Sequence, residues 1–216
     1  MKNYANLRNN ISKHMASMKQ KSSSESLEKL ASLLLELEKW NKKYNLTAIR
    51  NIQDMVSTHI MDSLSARTFI CGKSIIDVGT GAGFPGLPLA IVDPELDFML
   101  IDSNRKKIGF IMHIINFLEL KNVTIEKIRA ENFFPDKGFD TVIARALSNV
   151  PNLISLTKHM LKDQGIIVAL KGKQPIEELN KIPKSWQYNL SKVVVPGIND
   201  HERHIITLKQ TGHVSQ

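Results

Sequence analysis

Apolar residues in the first third of the chain recur at steps of three and four, the spacing of one face of an amphipathic helix. Ser22 and Glu25 have the spacing of a capping box, which predicts that the second of three helices begins there, after a polar break. The apolar positions are Leu7, Ile11, Met15 and Met18 in the first helix, Leu27, Leu30, Leu34, Leu37, Trp40 and Tyr44 in the second, and Met55, Val56, His59 and Ile60 in a third over residues 52–64.

From Ser74 onward, short apolar runs alternate with helical patterns, which is typical of a mostly parallel sheet. The last two strands have no helix between them, and the turn residues Val195–Gly197 predict that they form an antiparallel hairpin. We therefore expect a seven-stranded α/β domain over residues 71–216 and a helical appendage over residues 1–70. The predicted strands are 74–79, 97–102, 123–128, 139–144, 165–170, 189–195 and 203–209, and the predicted helices are 86–92, 105–118, 149–161 and 175–181.

A glycine-rich segment joins the first two of these strands. The apolar run Ile75–Val78 leads into Gly79, Gly81 and Gly83, and the next strand ends on Asp102. Glycines let the backbone approach a ligand closely, and an acid at the end of the second strand can accept hydrogen bonds from a ribose diol. The segment therefore predicts a bound nucleoside cofactor.

Two nucleoside cofactors are compatible with this segment. Gly81, Gly83 and Gly86 satisfy the GxGxxG fingerprint of dinucleotide-binding enzymes, with Asp102 as the ribose acid. Asp77 instead begins an Asp-x-Gly-x-Gly-x-Gly pattern similar to the first motif of class I S-adenosylmethionine (SAM) methyltransferases. A carboxylate there would repel a pyrophosphate but would suit the sulfonium and ammonium of SAM, unless it merely caps the turn. The terminal hairpin also favours a methyltransferase, because an ordinary dinucleotide fold would add another helix.

The carboxyl ends of the later strands supply further candidates, since ligands of doubly wound sheets bind beyond these ends. Ala130 and Glu131 follow the third strand and are expected at the adenine edge of a cofactor. Arg145 ends the fourth strand and Lys171 the fifth, where they could hold phosphate or the O6 edge of guanine. Alternatively, Glu131 is only a helix N-terminal acid, and Arg145 pairs with Glu131 or Asp102.

The end of the fourth strand also restricts the chemistry. Methyltransferases that alkylate an exocyclic amine usually carry an Asn/Asp-Pro-Pro-aromatic motif there, whereas this chain has Ala144, Arg145 and Ala146. Cys71 precedes the first strand, on the wrong edge of the sheet for pyrimidine C5 chemistry. Guanine N7 has a free lone pair and no proton to lose, so its methylation needs only in-line positioning. We therefore predict no certain catalytic residue, with Arg145 and Lys171 as positioning candidates.

The amino-acid composition indicates which class of partner the protein binds and in which compartment it works. The net charge of +8 and the pI of about 9.5 favour a polyanionic partner, although solubility alone would also account for them. The single cysteine suits a reducing cytosol, and neither an apolar signal segment nor a run long enough to span a membrane is present in the sequence. No His, Cys or acid cluster has the spacing of a metal site. We expect a cytoplasmic monomer that needs neither a metal nor a membrane.

Seven segments together carry a more specific signal: Trp40–Thr47, His59–Ser63, Asp77–Gly86, Ile101–Ser103, Arg145–Ala146, Leu170–Gly172 and Glu202–His204. On these segments the chain resembles the bacterial small-subunit rRNA guanine-N7 methyltransferase family, RsmG, also called GidB. The resemblance begins at about residue 25 and leaves the preceding residues without an assigned role. Ala82 and Phe84 stand where relatives can carry Pro and Leu, a difference that affects the stiffness of the loop.

The resemblance implies an enzyme that uses SAM to methylate N7 of one guanine in the decoding-region loop of 16S rRNA, either free or in a small-subunit particle. Two other classes stay open: an NAD-dependent oxidoreductase, and an RNA-binding module with a degenerate SAM pocket. The resemblance places SAM contacts at Gly79, Phe84, Ala130, Glu131 and Arg145, and the loop itself adds Asp77, Gly81, Gly83 and Asp102. The basic residues expected to contact RNA are Arg50, Arg67, Arg105, Lys106, Arg145, Lys171, Lys173 and Arg203.

Overall fold

A computed structural model describes residues 2–198 and 202–211, and in this part of the chain seven strands form one sheet. The strand order is β3-β2-β1-β4-β5-β7-β6, with β7 antiparallel to both of its neighbours and the other pairs parallel. The predicted fold class, a mostly parallel sheet that ends in an antiparallel hairpin, is confirmed. The strands are β1 Ser74–Val78, β2 Asp97–Ile101, β3 Val123–Glu126, β4 Phe139–Arg145, β5 Leu161–Lys171, β6 Trp186–Val193 and β7 Arg203–Gln210.

Helices cover both faces of this sheet, because successive strand residues point to opposite sides. Ile75 of β1 packs into the apolar cluster on one face, together with the N-terminal helices, and Ile76 packs into the cluster on the other. No helix in the described ranges is long and apolar enough to cross a bilayer. The helices are α1 Lys2–Ser17, α2 Ser24–Tyr44, α3 Ile52–Met55, α4 Asp62–Leu64, α5 Gly86–Val92, α6 Arg105–Phe117, α7 Val150–Thr157 and α8 Ile176–Leu179, and a π-helix, Val56–Met61, joins α3 to α4.

The N-terminal helices share one hydrophobic core with the sheet. Leu7, Ile11 and Met15 of α1 have at most 1% of their surface exposed, and they belong to the same apolar cluster as α5 and α6. The apolar face of α2 is buried against this cluster as well, with Trp40 and Tyr44 partly buried at its edge. The segment before the sheet therefore lies on the sheet's helical layer, where it can contribute to a site at the strand ends.

The start of α2 differs from the sequence prediction. Its N-cap is Ser23 rather than Ser22, and the Ser23 hydroxyl accepts a hydrogen bond from the Ser26 amide at 3.0 Å. With this register Ser26 occupies the third helical position, so the predicted capping box is wrong. Glu25 instead forms an ion pair with Lys29 one turn later, at 2.8 Å.

Two strands and one helix differ from their predicted ranges by three or more residues at one end. β5 begins at Leu161 rather than 165, since its first residues are polar and exposed and hide the strand period. β6 covers residues 186–193 rather than 189–195, and Trp186 is its only fully buried side chain. Helix α7 ends at Thr157, where a short 3-10 turn replaces the predicted continuation to 161.

The predicted third helix is confirmed over residues 52–64, but its centre is a π-helix. Such turns are rare and frequently mark functional sites. Here the Thr58 carbonyl accepts a hydrogen bond from Arg145 Nη1 at 2.9 Å, so the helix is tied to the end of β4. The residues predicted to point inward are all buried: Met55, Val56, His59 and Ile60.

A fully buried carboxylate holds the turn between β1 and α5. Asp77 Oδ2 accepts hydrogen bonds from the Thr80 hydroxyl at 2.6 Å and from the Gly86 amide at 2.7 Å. The other oxygen, Oδ1, has no hydrogen-bond partner within the described ranges. Burial raises the pKa of Asp77 from its ordinary 3.8 to about 6, against the lowering effect of the two hydrogen bonds.

Asp77→Asn should remove a pH-dependent contribution to stability. A native carboxyl group with a raised pKa binds its proton more tightly than the unfolded one, so this contribution weakens as pH rises from about 4 to about 6. The raised pKa corresponds to roughly 3 kcal/mol. Between about pH 4 and pH 7, the free energy of unfolding in urea should fall by ~2–3 kcal/mol more in the wild type than in Asp77→Asn. Parallel curves for the two proteins would contradict the raised pKa.

Candidate active site

A cavity of about 530 Å³ opens at the carboxyl ends of the parallel strands, where ligands of doubly wound sheets bind. We call it the first cavity. Residues 79–82 and Phe84 form one wall, the ends of β2 and β4 contribute others, and Leu46, Thr47 and His59 extend into it from the N-terminal segment. Seven of the nine predicted cofactor contacts line it: Gly79, Gly81, Phe84, Asp102, Ala130, Glu131 and Arg145.

The glycine turn is held against the end of β2 by main-chain hydrogen bonds. The amides of Gly79 and Thr80 donate to the Ile101 carbonyl at 2.9 and 3.1 Å. Gly79 and Gly81 have φ angles of +68° and +64°, a region that L side chains rarely adopt. The sequence therefore needs glycine here to turn the backbone along the floor of the cavity.

Asp102 connects this turn to the start of α6. Its Oδ2 accepts a hydrogen bond from the Gly81 amide at 2.9 Å, and its Oδ1 accepts one from the Asn104 amide at 2.8 Å. Each carboxylate oxygen has a second lone pair, so both can accept a further bond from a ligand. Ala130 and Glu131 lie in a 3-10 turn after β3, and Glu131 is the second carboxylate that lines the cavity.

Two predicted cofactor contacts, Asp77 and Gly83, do not line the first cavity. Asp77 is 0% exposed and uses its carboxylate inside the turn, so the structure contradicts a direct contact and supports the alternative interpretation as a turn-holding residue. Gly83 has a φ of +90°, and a Cβ there would overlap the Leu87 side chain. Packing of the turn against α5 explains this glycine.

A second cavity, of about 320 Å³, lies beside the first. The π-helix, the ends of β4 and β5, and the first residues of β7 form its walls. His59, Arg145 and Ala146 line both cavities, so these three residues mark the junction between them. Ala146 has a φ of +53°, and such strained non-glycine residues cluster at functional sites.

One buried carboxylate, Asp62, fixes two arginines of the second cavity. Asp62 Oδ2 lies 3.1 Å from Arg145 Nη1, and Oδ1 lies 2.9 Å from Arg203 Nε. The expected pairing of Arg145 with Glu131 or Asp102 is therefore wrong. Both arginine side chains are only about one-fifth exposed, at 21% and 22%, so they belong to the cavity wall more than to an open phosphate-binding surface.

Lys171 is also fixed by neighbouring groups. Its Nζ donates hydrogen bonds to the Ser148 carbonyl and to Glu178 Oε2, each at 2.8 Å. Glu178 accepts a further bond from the Val150 amide at the start of α7. Lys171 thus holds the loop after β4 in place, and the role open to it is positioning.

His59 lies at the junction as a buried, neutral imidazole. Its ring stacks on Phe84 with centroids 4.7 Å apart, and its Nε2 lies 3.0 Å from the Thr47 hydroxyl. Burial, and then the positive charge of Arg145, lower the pKa of His59 to about 3, although the Thr58 carbonyl acts in the opposite direction. The Arg145 guanidinium lies 5.7 Å from the centre of the Phe84 ring.

The remaining basic residues of the RNA prediction divide into two groups. Arg67 forms an ion pair with Asp93, with Nε 2.9 Å from Oδ2, at the amino-terminal edge of the sheet. Arg67 lines neither cavity, and its contact with RNA stays a prediction. The other four are exposed in segments that follow or flank the carboxyl ends of the strands: Arg50, Arg105, Lys106 and Lys173.

Sequence reasoning gave no role to Asp62 or Thr47, although both lie in segments that carry the family resemblance. Their roles depend on partners elsewhere in the fold, and a single sequence contains no signal for those contacts. Within the described ranges, no group of three or more His, Cys, Asp or Glu side chains could hold a metal ion.

Comparisons with known proteins agree with this architecture. Residues 26–206 match the family model GidB, described as rRNA small subunit methyltransferase G. The ribosomal RNA small subunit methyltransferase G of Legionella pneumophila (strain Corby) is 47% identical over 182 residues, which cover 84% of this chain and 86% of that protein. The protein of the same name from Idiomarina loihiensis is 43% identical over 185 residues, or 85% of this chain and 89% of that protein.

Solved structures show the same fold at low sequence identity. A SAM-dependent methyltransferase from Aquifex aeolicus has a TM-score of 0.56 at 19% identity, over 72% of this chain and 93% of that chain. M. jannaschii TYW2 in complex with AdoMet has a TM-score of 0.54 at 18% identity, over 71% of this chain and 77% of that chain. The family match excludes the oxidoreductase alternative. The chain belongs to the rRNA small subunit methyltransferase G (GidB) family, and it is an enzyme with S-adenosylmethionine as its cofactor.

Proposed function

We propose that this enzyme transfers the methyl group of SAM to N7 of one guanine in the decoding-region loop of 16S rRNA, in free RNA or in a small-subunit particle. The observation that carries the proposal is the meeting of the two cavities at His59, Arg145 and Ala146. A cofactor in the first cavity and a base in the second would face each other there, as in-line transfer requires. The names of the relatives support ribosomal RNA as the substrate.

The first cavity fits SAM in size and in chemistry. Its volume of about 530 Å³ lies within the range of roughly 300–1,000 Å³ typical of small-molecule sites. Asp102 would accept hydrogen bonds from the ribose hydroxyls, and the Ala130 backbone with Glu131 would contact the adenine edge. Gly79 and Phe84 would border the methionine end, nearest the second cavity.

The second cavity would hold the base without removing a proton from it. SAM, when bound, supplies an electrophilic methyl group on its sulfonium. Guanine N7 would attack this methyl carbon with its lone pair while the sulfur–methyl bond breaks and its electron pair stays on sulfur. The positive charge would pass from the sulfonium to the guanine ring, so no proton has to move. Among the described residues that line this cavity, Asp62 is the one carboxylate, and both of its oxygens are paired with arginines. Arg145 and Lys171 are therefore proposed as positioning residues.

Asp102→Ala should raise the dissociation constant for SAM at least tens-fold, since each hydrogen bond to an ionised group contributes roughly 1.5–3 kcal/mol. The matched control is Asp97→Ala, which changes an exposed acid at the other end of the same strand and should leave SAM affinity unchanged. Isothermal titration calorimetry measures both, and wild-type protein should not bind NAD. Equal SAM affinities in the two variants would remove Asp102 from the site.

Methylation at N7 leaves a fixed positive charge on the guanine imidazole and makes the glycosidic bond labile. Wild-type enzyme should be incubated with labelled SAM and either naked 16S rRNA or small-subunit particles. Borohydride reduction followed by aniline should then cleave the RNA at one guanine. A label on an exocyclic amine or a ribose, without cleavage, would contradict methylation at N7. The conclusions about the fold and the cofactor would not be affected.

Single-turnover methyl transfer on bound RNA should also not accelerate between about pH 6 and 8.5, the window in which a tuned general base would lose its proton. His204 lines the second cavity and lies with Nδ1 3.1 Å from the Gly172 carbonyl, so it is the group to test. A rate that rises with pH in the wild type and becomes flat in His204→Asn would establish a base and contradict this mechanism.

RNA affinity should fall steeply with salt, because each neutralised phosphate releases counterions with a log–log slope of about −0.7 to −0.9. Alanine at Arg105 or Lys173 should reduce the magnitude of the slope by that amount, as should alanine at the other exposed candidates, Arg50 and Lys106. Lys121→Ala, at the amino-terminal edge of the sheet, is the control. Filter binding over a salt series measures the slopes, and equal slopes for all variants would mean that these charges serve only solubility.

A further inference from the structure

One ring nitrogen of His59 is a buried polar atom without a hydrogen-bond partner in the described ranges. The residue is 7% exposed, and Nδ1 is the unpaired atom. Stacking on Phe84 fixes the plane of the ring, and the ring lies where the two cavities meet. An unpaired buried polar group costs free energy, which a ligand can recover by supplying the missing partner.

The neighbours of the ring are compatible with a proton on this nitrogen. The Thr47 hydroxyl oxygen already accepts a hydrogen bond from the Ile49 amide at 3.2 Å, so its own proton is available to His59 Nε2, 3.0 Å away. When Nε2 accepts this proton, a neutral imidazole carries its hydrogen on Nδ1. His59 thereby offers an N–H donor without a positive charge.

The surroundings also indicate which cavity this donor serves. Nε2 is directed to Thr47, which lines the first cavity, whereas Thr58 lines the second. The Thr58 carbonyl interacts with the imidazole, but it is already bonded by Arg145 at 2.9 Å. Nδ1 is therefore the ring nitrogen nearer to Thr58, a residue that lines the second cavity.

We propose that Nδ1–H of His59 donates a hydrogen bond to O6 of the target guanine and makes His59 a specificity-determining residue; the proposal rests on the proposed function. O6 and N7 are neighbouring acceptors on one edge of guanine. A donor on N7 would occupy the lone pair that must attack, whereas a donor on O6 leaves it free. Adenine presents an amino group at this position, so two donors would face each other and adenine would be rejected.

The test replaces the target guanine in a synthetic RNA by 2-aminopurine, which keeps N7 and the 2-amino group but lacks O6. Single-turnover rates on the two RNAs give a ratio, guanine over 2-aminopurine, for each enzyme. The difference in intrinsic reactivity between the two bases is the same for the wild type and every variant. A change in the ratio therefore reports the contact between His59 and O6. The wild-type ratio should exceed that of His59→Phe by about ten- to a hundredfold, the discrimination expected for one specific base contact.

Two further variants separate the contact from a loss of structure. His59→Gln can reach Thr47 but has no donor at the Nδ1 position, so its ratio should fall as far as that of His59→Phe. His59→Asn places an amide N–H near the Nδ1 position, so it should restore part of the wild-type ratio. SAM affinity and the melting temperature identify any variant that fails to fold. If His59→Phe fails to fold, the ratio is compared between the wild type and His59→Gln instead.

Two results would overturn the inference: equal wild-type rates on the two RNAs, or an unchanged ratio in both His59→Phe and His59→Gln. In either case, borohydride–aniline cleavage by wild-type enzyme would still establish N7 methylation. Absence of that cleavage in the wild type is the separate result that would remove the proposed function itself.

Discussion

The carboxylate of Asp62 fixes the geometry on which both cavities depend. It belongs to α4, and it joins this helix to Arg145 at the end of β4 and to Arg203 at the start of β7, which are 83 and 141 residues away along the chain. Its side chain is 8% exposed, where a lone charge would be strongly unfavourable and two arginines compensate it. The helical segment and the sheet are therefore held in one arrangement by a charge that neither can accommodate alone.

This constraint also sets the electrostatics at the junction. Because Asp62 and the Thr58 carbonyl hold the guanidinium of Arg145 in place, its positive charge lies near Phe84 and His59. That charge, added to burial, keeps the imidazole neutral. A permanently charged guanidinium and a neutral imidazole therefore lie next to each other at the junction of the two cavities.

Local sequence patterns were sufficient for the sheet, the glycine turn and seven residues of the first cavity, because strand period and positive-φ turns depend on near neighbours. The same patterns gave Asp77 the wrong role, since an acid that holds a turn and an acid that contacts a ligand have the same spacing in the sequence. The role of Asp62 could not be predicted, because it depends on contacts with two arginines that are distant in the sequence. The π-helix escaped prediction as well, because its buried positions also suit an ordinary helix.

The position of β7 in the sheet determines when each cavity can be completed during synthesis. Every residue that lines the first cavity precedes residue 157, whereas the second also requires Val193, Arg203, His204 and Ile205. β7 lies between β5 and β6, so the last of the described strands to be synthesised pairs with two strands that precede it in the chain. Until it does, Asp62 lacks one of its arginines and the second cavity lacks a wall. A chain that lacks β7 thus contains every residue that lines the first cavity, whereas several residues that line the second are synthesised only with β7.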